Sequence, residues 1–205
     1  ERFGPDVLRY FLLREMVFGQ DASFSDEGFV DRYNSDLAND LGNTASRVAT
    51  LARQAFGGAT PPDPCDDNPV RTVALAVIAE YREAMAELAF QDALRALWRL
   101  LAEANQYLVA REPWKLIRSE GPSPRLSRIL WNGLEAVRLV ATGLLPVMPA
   151  TAARVLAAVG SPVPASLEAL AWGGTPNGVP LPEPQPLFPR IDKEKFMAEI
   201  AAPAP

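Results

Sequence analysis

The stretch DLANDLGNTASR, residues 36 to 47, carries Asn39, Asn43 and Arg47 at successive four-residue intervals. Four residues are about one helical turn, so on a helix these side chains share one stripe. A carboxamide both donates and accepts hydrogen bonds, whereas a guanidinium only donates, through a planar fork. Such a row can read the edges of unpaired bases or anchor a buried loop. The plain alternative is a solvated helix face. Solvated faces favour Glu, Lys, Gln and Ala, however, and Asn is a poor choice inside a helix. Trp114 is a second candidate, following Pro113 and flanked by Arg111, Glu112 and Lys115. A tryptophan at a helix exit can cap the core, or it can stack on a base with cations beside it. Trp98, Trp131 and Trp172 lack that cationic setting and read as core or tail packing.

Other chemistry is harder to find. The 205 residues include no histidine, which removes the commonest general base and metal ligand. Gly173-Gly174-Thr175 has no strand pattern before it and no helix pattern after it, so it does not read as a phosphate loop. A lone cysteine, Cys65, can close neither an internal disulfide nor a cysteine-based zinc site. We therefore expect no catalysis, no cofactor and no metal site in this chain by itself. The net charge of −5 opposes indiscriminate coating of nucleic acid. Residues 111–128 nevertheless form a local basic stretch, with Arg111, Lys115, Arg118, Arg125 and Arg128 against Glu112 and Glu120. No apolar run reaches membrane-spanning length and no signal peptide is visible. The chain opens on Glu1 rather than Met, and we expect it to lie within a longer protein.

The elements that must hold these residues read as helices throughout. Pro5 and Asp6 suit the first turn of a helix over 4–16. Residues 18–24 read as a turn-rich connector, and Ser25 as the N-cap of a helical pattern running to Phe56 with a bend near Asn34. At about 100° per residue, Leu37, Leu41, Thr44, Ala45, Val48, Leu51, Ala52 and Ala55 form a core-facing stripe. Asn39, Asn43, Arg47, Thr50 and Gln54 fall on the opposite side. Gly57-Gly58 should end the helix, with an irregular loop over 59–69. A helical pattern over 70–110 should break near Leu88–Gln91, residues 111–122 should turn, and helices should follow over 123–144 and 149–159. Residues 161–190 hold eight prolines, which predicts an extended tail lying on the bundle through Trp172, Leu187, Phe188 and Ile191. A last turn or two is expected over 193–201. The expected fold class is all-α: an antiparallel helix bundle with an extended Pro-rich tail packed on it.

The segments FGPDVLRYFLLREMVFGQDASFS, RYNSDLANDLGNTASR, ANQYLVAREPWKL and PLFPRID, in this order and spacing, resemble the C-terminal portion of bacterial methionyl-tRNA synthetases, of class I. The resemblance covers essentially the whole chain. It implies a helical connector over 1–35, an anticodon-binding bundle over 36–172 and a C-terminal tail over 173–205. The family reads a CAU anticodon through an Asn, an Arg four residues later and a Trp after Pro. Here these are Asn43, Arg47 and Trp114, with Asn39 and Pro113 beside them. Arg111, Lys115 and Arg118 are candidate phosphate contacts.

The resemblance further implies a methionine–tRNA ligase as the parent, using ATP and Mg2+, with zinc a further candidate, in a catalytic part absent from this chain. Its partners would be initiator and elongator methionine tRNA, in the cytoplasm, with the parent a monomer. Two positions depart from the family pattern: Val109 stands where an acidic residue often precedes the Trp, and Val17 where Pro often precedes FGQD. Whatever that carboxylate orients must be held otherwise, with Glu112 the nearest substitute. A helical protein-docking module, with Trp114 as its anchor, and the anticodon bundle of another class I synthetase remain alternatives.

Overall fold

The computed structural model describes residues 3–17, 24–63 and 68–201. Residues 18–23 of the connector expected at 18–24, and Cys65 within its loop, lie outside the described residues. The helices are α1 (Gly4–Glu15), α2 (Asp26–Arg32), a π-helix (Tyr33–Gly42), α3 (Asn43–Ala55), α4 (Pro69–Ala86), α5 (Phe90–Arg111), α6 (Pro113–Ser119), α7 (Pro124–Leu144), α8 (Pro149–Ala158) and α9 (Lys193–Ala201), and residues 159–192 are irregular apart from a 3-10 turn at Leu167–Ala169. Among the described residues there is no strand, only an isolated bridge between Ala59 and Pro180.

Capping explains most boundaries. Ser25 Oγ accepts from the Gly28 amide at 3.1 Å, as its position before Asp26 and Glu27 predicts. Asn68 and Ser123 cap α4 and α7 in the same way, each followed by a proline at the first helical position. The α4–α5 break falls at residues 87–89, where Leu88 takes a left-handed φ of 60°. Residues 111–122 hold more than the expected turn, because α6 forms inside them. Pro113 cannot continue α5, so Glu112 swings to φ 47°, ψ 51°, and a new helix starts at the proline.

The expected bend near Asn34 is a change of helix type. From Tyr33 to Gly42 the backbone widens into a π-helix, continuous with α2 before it and α3 after it. Such widening is rare and frequent at functional sites. Here it lets Asp36 turn inward. Its carboxylate accepts from the Tyr10 hydroxyl at 2.6 Å and pairs with Arg32 at 3.3 Å and Arg14 at 3.5 Å, tying α1 to the π-helix. Burial, then the Asp36 charge, holds the Tyr10 hydroxyl well above its ordinary pKa.

Helix α7 is the axis of the bundle, with residues 129–144 buried on every side. Helices α3, α4, α5, α6 and α8 pack around it. Gly133 permits the close approach: a Cβ there would sit 2.8 Å from Val48 Cγ2 and 3.4 Å from Leu108. Full burial of leucines such as Leu97, Leu101, Leu130 and Leu134 contributes about 1.5–3 kcal/mol each.

The tail then wraps this core. Trp172 meets Trp131 edge-on at 5.7 Å, Phe188 is buried beside Gly42, and the Asn34 amide exchanges two 2.9 Å hydrogen bonds with the Ile191 backbone. Helix α9 packs on α2, with Lys193 2.8 Å from Asp31. The GGT run has a structural role. The amides of Gly173, Gly174 and Thr175 and the Thr175 hydroxyl all donate to the buried Glu135 carboxylate, at 2.7, 3.2, 2.8 and 2.6 Å. Three successive amides of this kind form an anion nest, here filled by the protein's own carboxylate.

Candidate nucleic-acid interface

Leu37, Leu41, Thr44, Ala45, Val48, Leu51, Ala52 and Ala55 are all buried, whereas Asn39, Asn43, Arg47, Thr50 and Gln54 are all exposed. The stripe therefore crosses the junction of the π-helix and α3 on the outside of the bundle. Among the described residues the side chains of Asn39, Asn43 and Arg47 have no hydrogen-bond or ion-pair partner within the protein. A helix start that leaves Asn amides unused must tolerate their poor propensity. Tertiary contacts supply the support: Thr44 Oγ1 donates to the Asp40 carbonyl at 2.6 Å and lies 2.9 Å from Asn105 Oδ1 on α5. Asp40, between Asn39 and Leu41, has its carboxyl raised above the ordinary value by burial first and by Asp36 second.

Trp114 sits in the first turn of α6, which packs against α3 and α7. Pro113 is buried, and Trp114 is half-buried, resting one side on the core. Both uses considered for it in the sequence thus find a physical basis, since packing on one side leaves the remainder of the indole to solvent. The left-handed Glu112 sets this placement. A non-glycine residue in that region costs on the order of 1–2 kcal/mol, and such strain recurs at binding sites. Glu112 Oε1 lies 2.7 Å from Lys115 Nζ, so Lys115 already has a partner, while Arg118 is exposed farther along α6. Val109 is 56% exposed in the last turns of α5.

Of the three phosphate candidates, Lys115 and Arg118 share α6, while Arg111 ends α5 and lines, with Arg125 and Arg128, a cleft of about 360 Å³ between the end of α5 and the starts of α4 and α7. Tyr107 and Asn68 are also polar residues of its described lining. The basic composition of 111–128 was the available signal for this grouping. Which of its cations converge depended on the path of α6. Among the described residues, no group of three or more His, Cys, Asp or Glu side chains is placed to hold a metal ion. No described helix is long and apolar enough to cross a membrane.

Comparison with known proteins finds likenesses over nearly the whole chain. The family profile "tRNA synthetases class I (M)" matches residues 1–49, and "Anticodon binding domain of methionyl tRNA ligase" matches residues 66–201. The methionine–tRNA ligase of Caldanaerobacter subterraneus subsp. tengcongensis is 37% identical over 204 residues, covering 98% of this chain and 32% of that protein. That of Streptomyces coelicolor is 37% identical over 207 residues, covering 94% and 38%. The chain thus spans about a third of the length of the relatives it matches. The apo crystal structure of Mycobacterium tuberculosis methionyl-tRNA synthetase superposes with a TM-score of 0.81 at 36% identity, covering 91% of this chain and 39% of that one. The methionyl-adenylate complex of the same enzyme gives 0.80 at 36% identity, covering 90% and 37%. With the profile of the anticodon-binding domain spanning most of its helices, the chain belongs to the methionyl-tRNA ligase family.

Proposed function

We propose that this chain recognises the CAU anticodon of methionine tRNA on behalf of a methionine–tRNA ligase, which joins methionine to that tRNA using ATP. The observation that carries the reading is the exposed, unpartnered row Asn39, Asn43, Arg47, with the half-buried Trp114 on the helix packed alongside. In this reading residues 1–35 are the connector, 36–172 the anticodon-binding bundle and 173–205 the tail. The partners are initiator and elongator methionine tRNA, and the parent works as a cytoplasmic monomer. The described residues offer no fit for a metal, and ATP, Mg2+ and any zinc are assigned to the remainder of the parent.

The recognition chemistry follows from the donors and acceptors. Single-stranded RNA is read by splaying bases out, stacking them on aromatic rings and bonding their free edges. The pairing edge of cytosine 34 presents one amine donor and two acceptors. Arg47 donates to acceptors only, and Asn43 supplies the carbonyl that takes the amine proton. Trp114 offers the stacking face, and Pro113 and Asn39 frame the site. The acidic remainder of the chain, at −5 overall, disfavours adventitious RNA.

Uracil replaces the amine with a carbonyl and one acceptor with an N–H, so polar groups that the bound base covers would be mismatched, at about 1–3 kcal/mol each. The test is aminoacylation of C34 and U34 transcripts of methionine tRNA by the full-length protein carrying Asn43→Ala or Arg47→Lys. Both substitutions should erode the C34/U34 ratio, and Arg47→Lys should not rescue it, because an ammonium cannot reproduce the planar fork. Wild-type ratios in both variants would reduce the row to a solvated face.

A further inference from the structure

We infer that the cleft lined by Arg111, Arg125 and Arg128 is a subsite for one backbone phosphodiester of the bound RNA, separate from the Asn–Arg row. This rests on the RNA reading above and adds to it a contact blind to base identity. Two helices and one corner build the site: Arg111 ends α5, while Arg125 and Arg128 lie in the first turns of α7. Its cavity of about 360 Å³ also has Asn68 and the aliphatic floor of Ile129 among its described lining residues.

Arg111 is held in place by its neighbours, and Arg125 is free to exchange its partner. The Arg111 guanidinium lies over the Tyr107 ring, 5.5 Å from its centroid. That ring is held in turn by Asn132, whose Nδ2 donates to Tyr107 Oη at 3.4 Å, and Asn132 is fully buried in α7. Arg125 pairs with Glu120 only at 3.7 Å, with both side chains well exposed. An exposed pair of that length holds its arginine weakly, so the guanidinium can exchange Glu120 for a phosphate. Arginine suits the exchange because its fork matches two phosphate oxygens at once. Arg111 is three residues from Trp114. Three residues span at most about 10 Å of chain, so a strand whose base stacks on Trp114 runs near the α5–α6 corner that Arg111 ends. Phosphate contacts of this kind set the register of an RNA without reading its sequence.

The test measures methionine-tRNA binding by the full-length protein against salt concentration, for Arg111→Gln, Arg125→Gln and Trp114→Ala, with Arg95→Gln as control. Arg95, at the opposite end of α5, pairs with Asp92 on the surface. Each cleft substitution should weaken C34 and U34 transcripts equally and lower the slope of log K against log salt by about 1, whereas Arg95→Gln leaves both unchanged. If Trp114→Ala weakens binding while both cleft variants keep the wild-type slope, the cleft holds no phosphate and the RNA reading stands. If none of the three weakens binding, the RNA reading falls and the subsite with it. Cleft variants that change the C34/U34 ratio would make the cleft a base reader and overturn the proposal.

Discussion

Trp114 concentrates the functional question into one side chain. It is half-buried on α6, so a stacking role predicts loss of tRNA recognition without loss of fold. Base–aromatic stacking is worth about 1–3 kcal/mol per base, so Trp114→Ala should lower kcat/KM for tRNA about 5- to 150-fold in the full-length protein. Amino-acid activation without tRNA should be unchanged. A variant whose helical circular dichroism collapses would instead make Trp114 a core residue. A second side chain reports on the core itself. Tyr81 donates to the Gly143 carbonyl at 2.6 Å, and burial raises its pKa to about 12. In this state Tyr81 stays protonated where the unfolded chain, with a pKa near 10, does not. Its contribution is therefore full below pH 10 and is lost as pH rises towards 12, a loss of about 2–3 kcal/mol. Urea midpoints between pH 9 and 12 should fall for the wild type and fall less for Tyr81→Phe.

Among the elements, the tail is the one whose hold on the bundle is most open to test. Glu135 is fully buried and takes four hydrogen bonds from residues 173–175, while Arg138 ties the carbonyls of Ala169 and Ala171 at 3.1 and 2.6 Å. Arg138 Nη2 also lies 2.6 Å from Glu135 Oε1, and removing one partner of such a buried pair strands the other charge, at a cost of about 3–5 kcal/mol. Glu135→Ala should thus lower the melting temperature and open the 160–190 segment to limited proteolysis before the helices unfold. A tail that stays protected in the variant would show that Trp172 and the Asn34 contacts suffice without the clamp. Gly174 is bound into the same device, because a Cβ there would come 2.5 Å from Arg138 Cζ. The same sequence run was dismissible as a phosphate loop from its flanking pattern, but nothing in that pattern revealed which carboxylate its amides would enclose.

At the scale of the molecule, one core unites α1 to α8 and the tail, with residues from Val7 to Phe188 in a single buried cluster. Such a core should let the chain fold in isolation. Purified alone, it should give no methionine-dependent exchange of pyrophosphate into ATP. Exchange that survives rigorous repurification would place catalytic groups within these helices and contradict the reading of the chain as a recognition module.

Helix positions and the two faces of residues 36–56 follow from sequence, because burial periodicity and cap residues are local properties and Ser25, Pro69 and Pro124 act on their own neighbours. The outward Asn39, Asn43 and Arg47 were legible for the same reason. The π-helix was visible only as a bend, since its stability comes from Asp36 meeting Tyr10, Arg14 and Arg32, partners spread across α1 and α2. Helix α6 was hidden by Pro113 at its start and Gly121 and Pro122 just beyond its end, and its placement depends on the left-handed Glu112. The convergence of Arg111 with Arg125 and Arg128, and the capture of 173–175 by Glu135, belong to tertiary structure alone. Both join residues distant along the chain, and only the packing of whole helices around α7 brings such residues within reach.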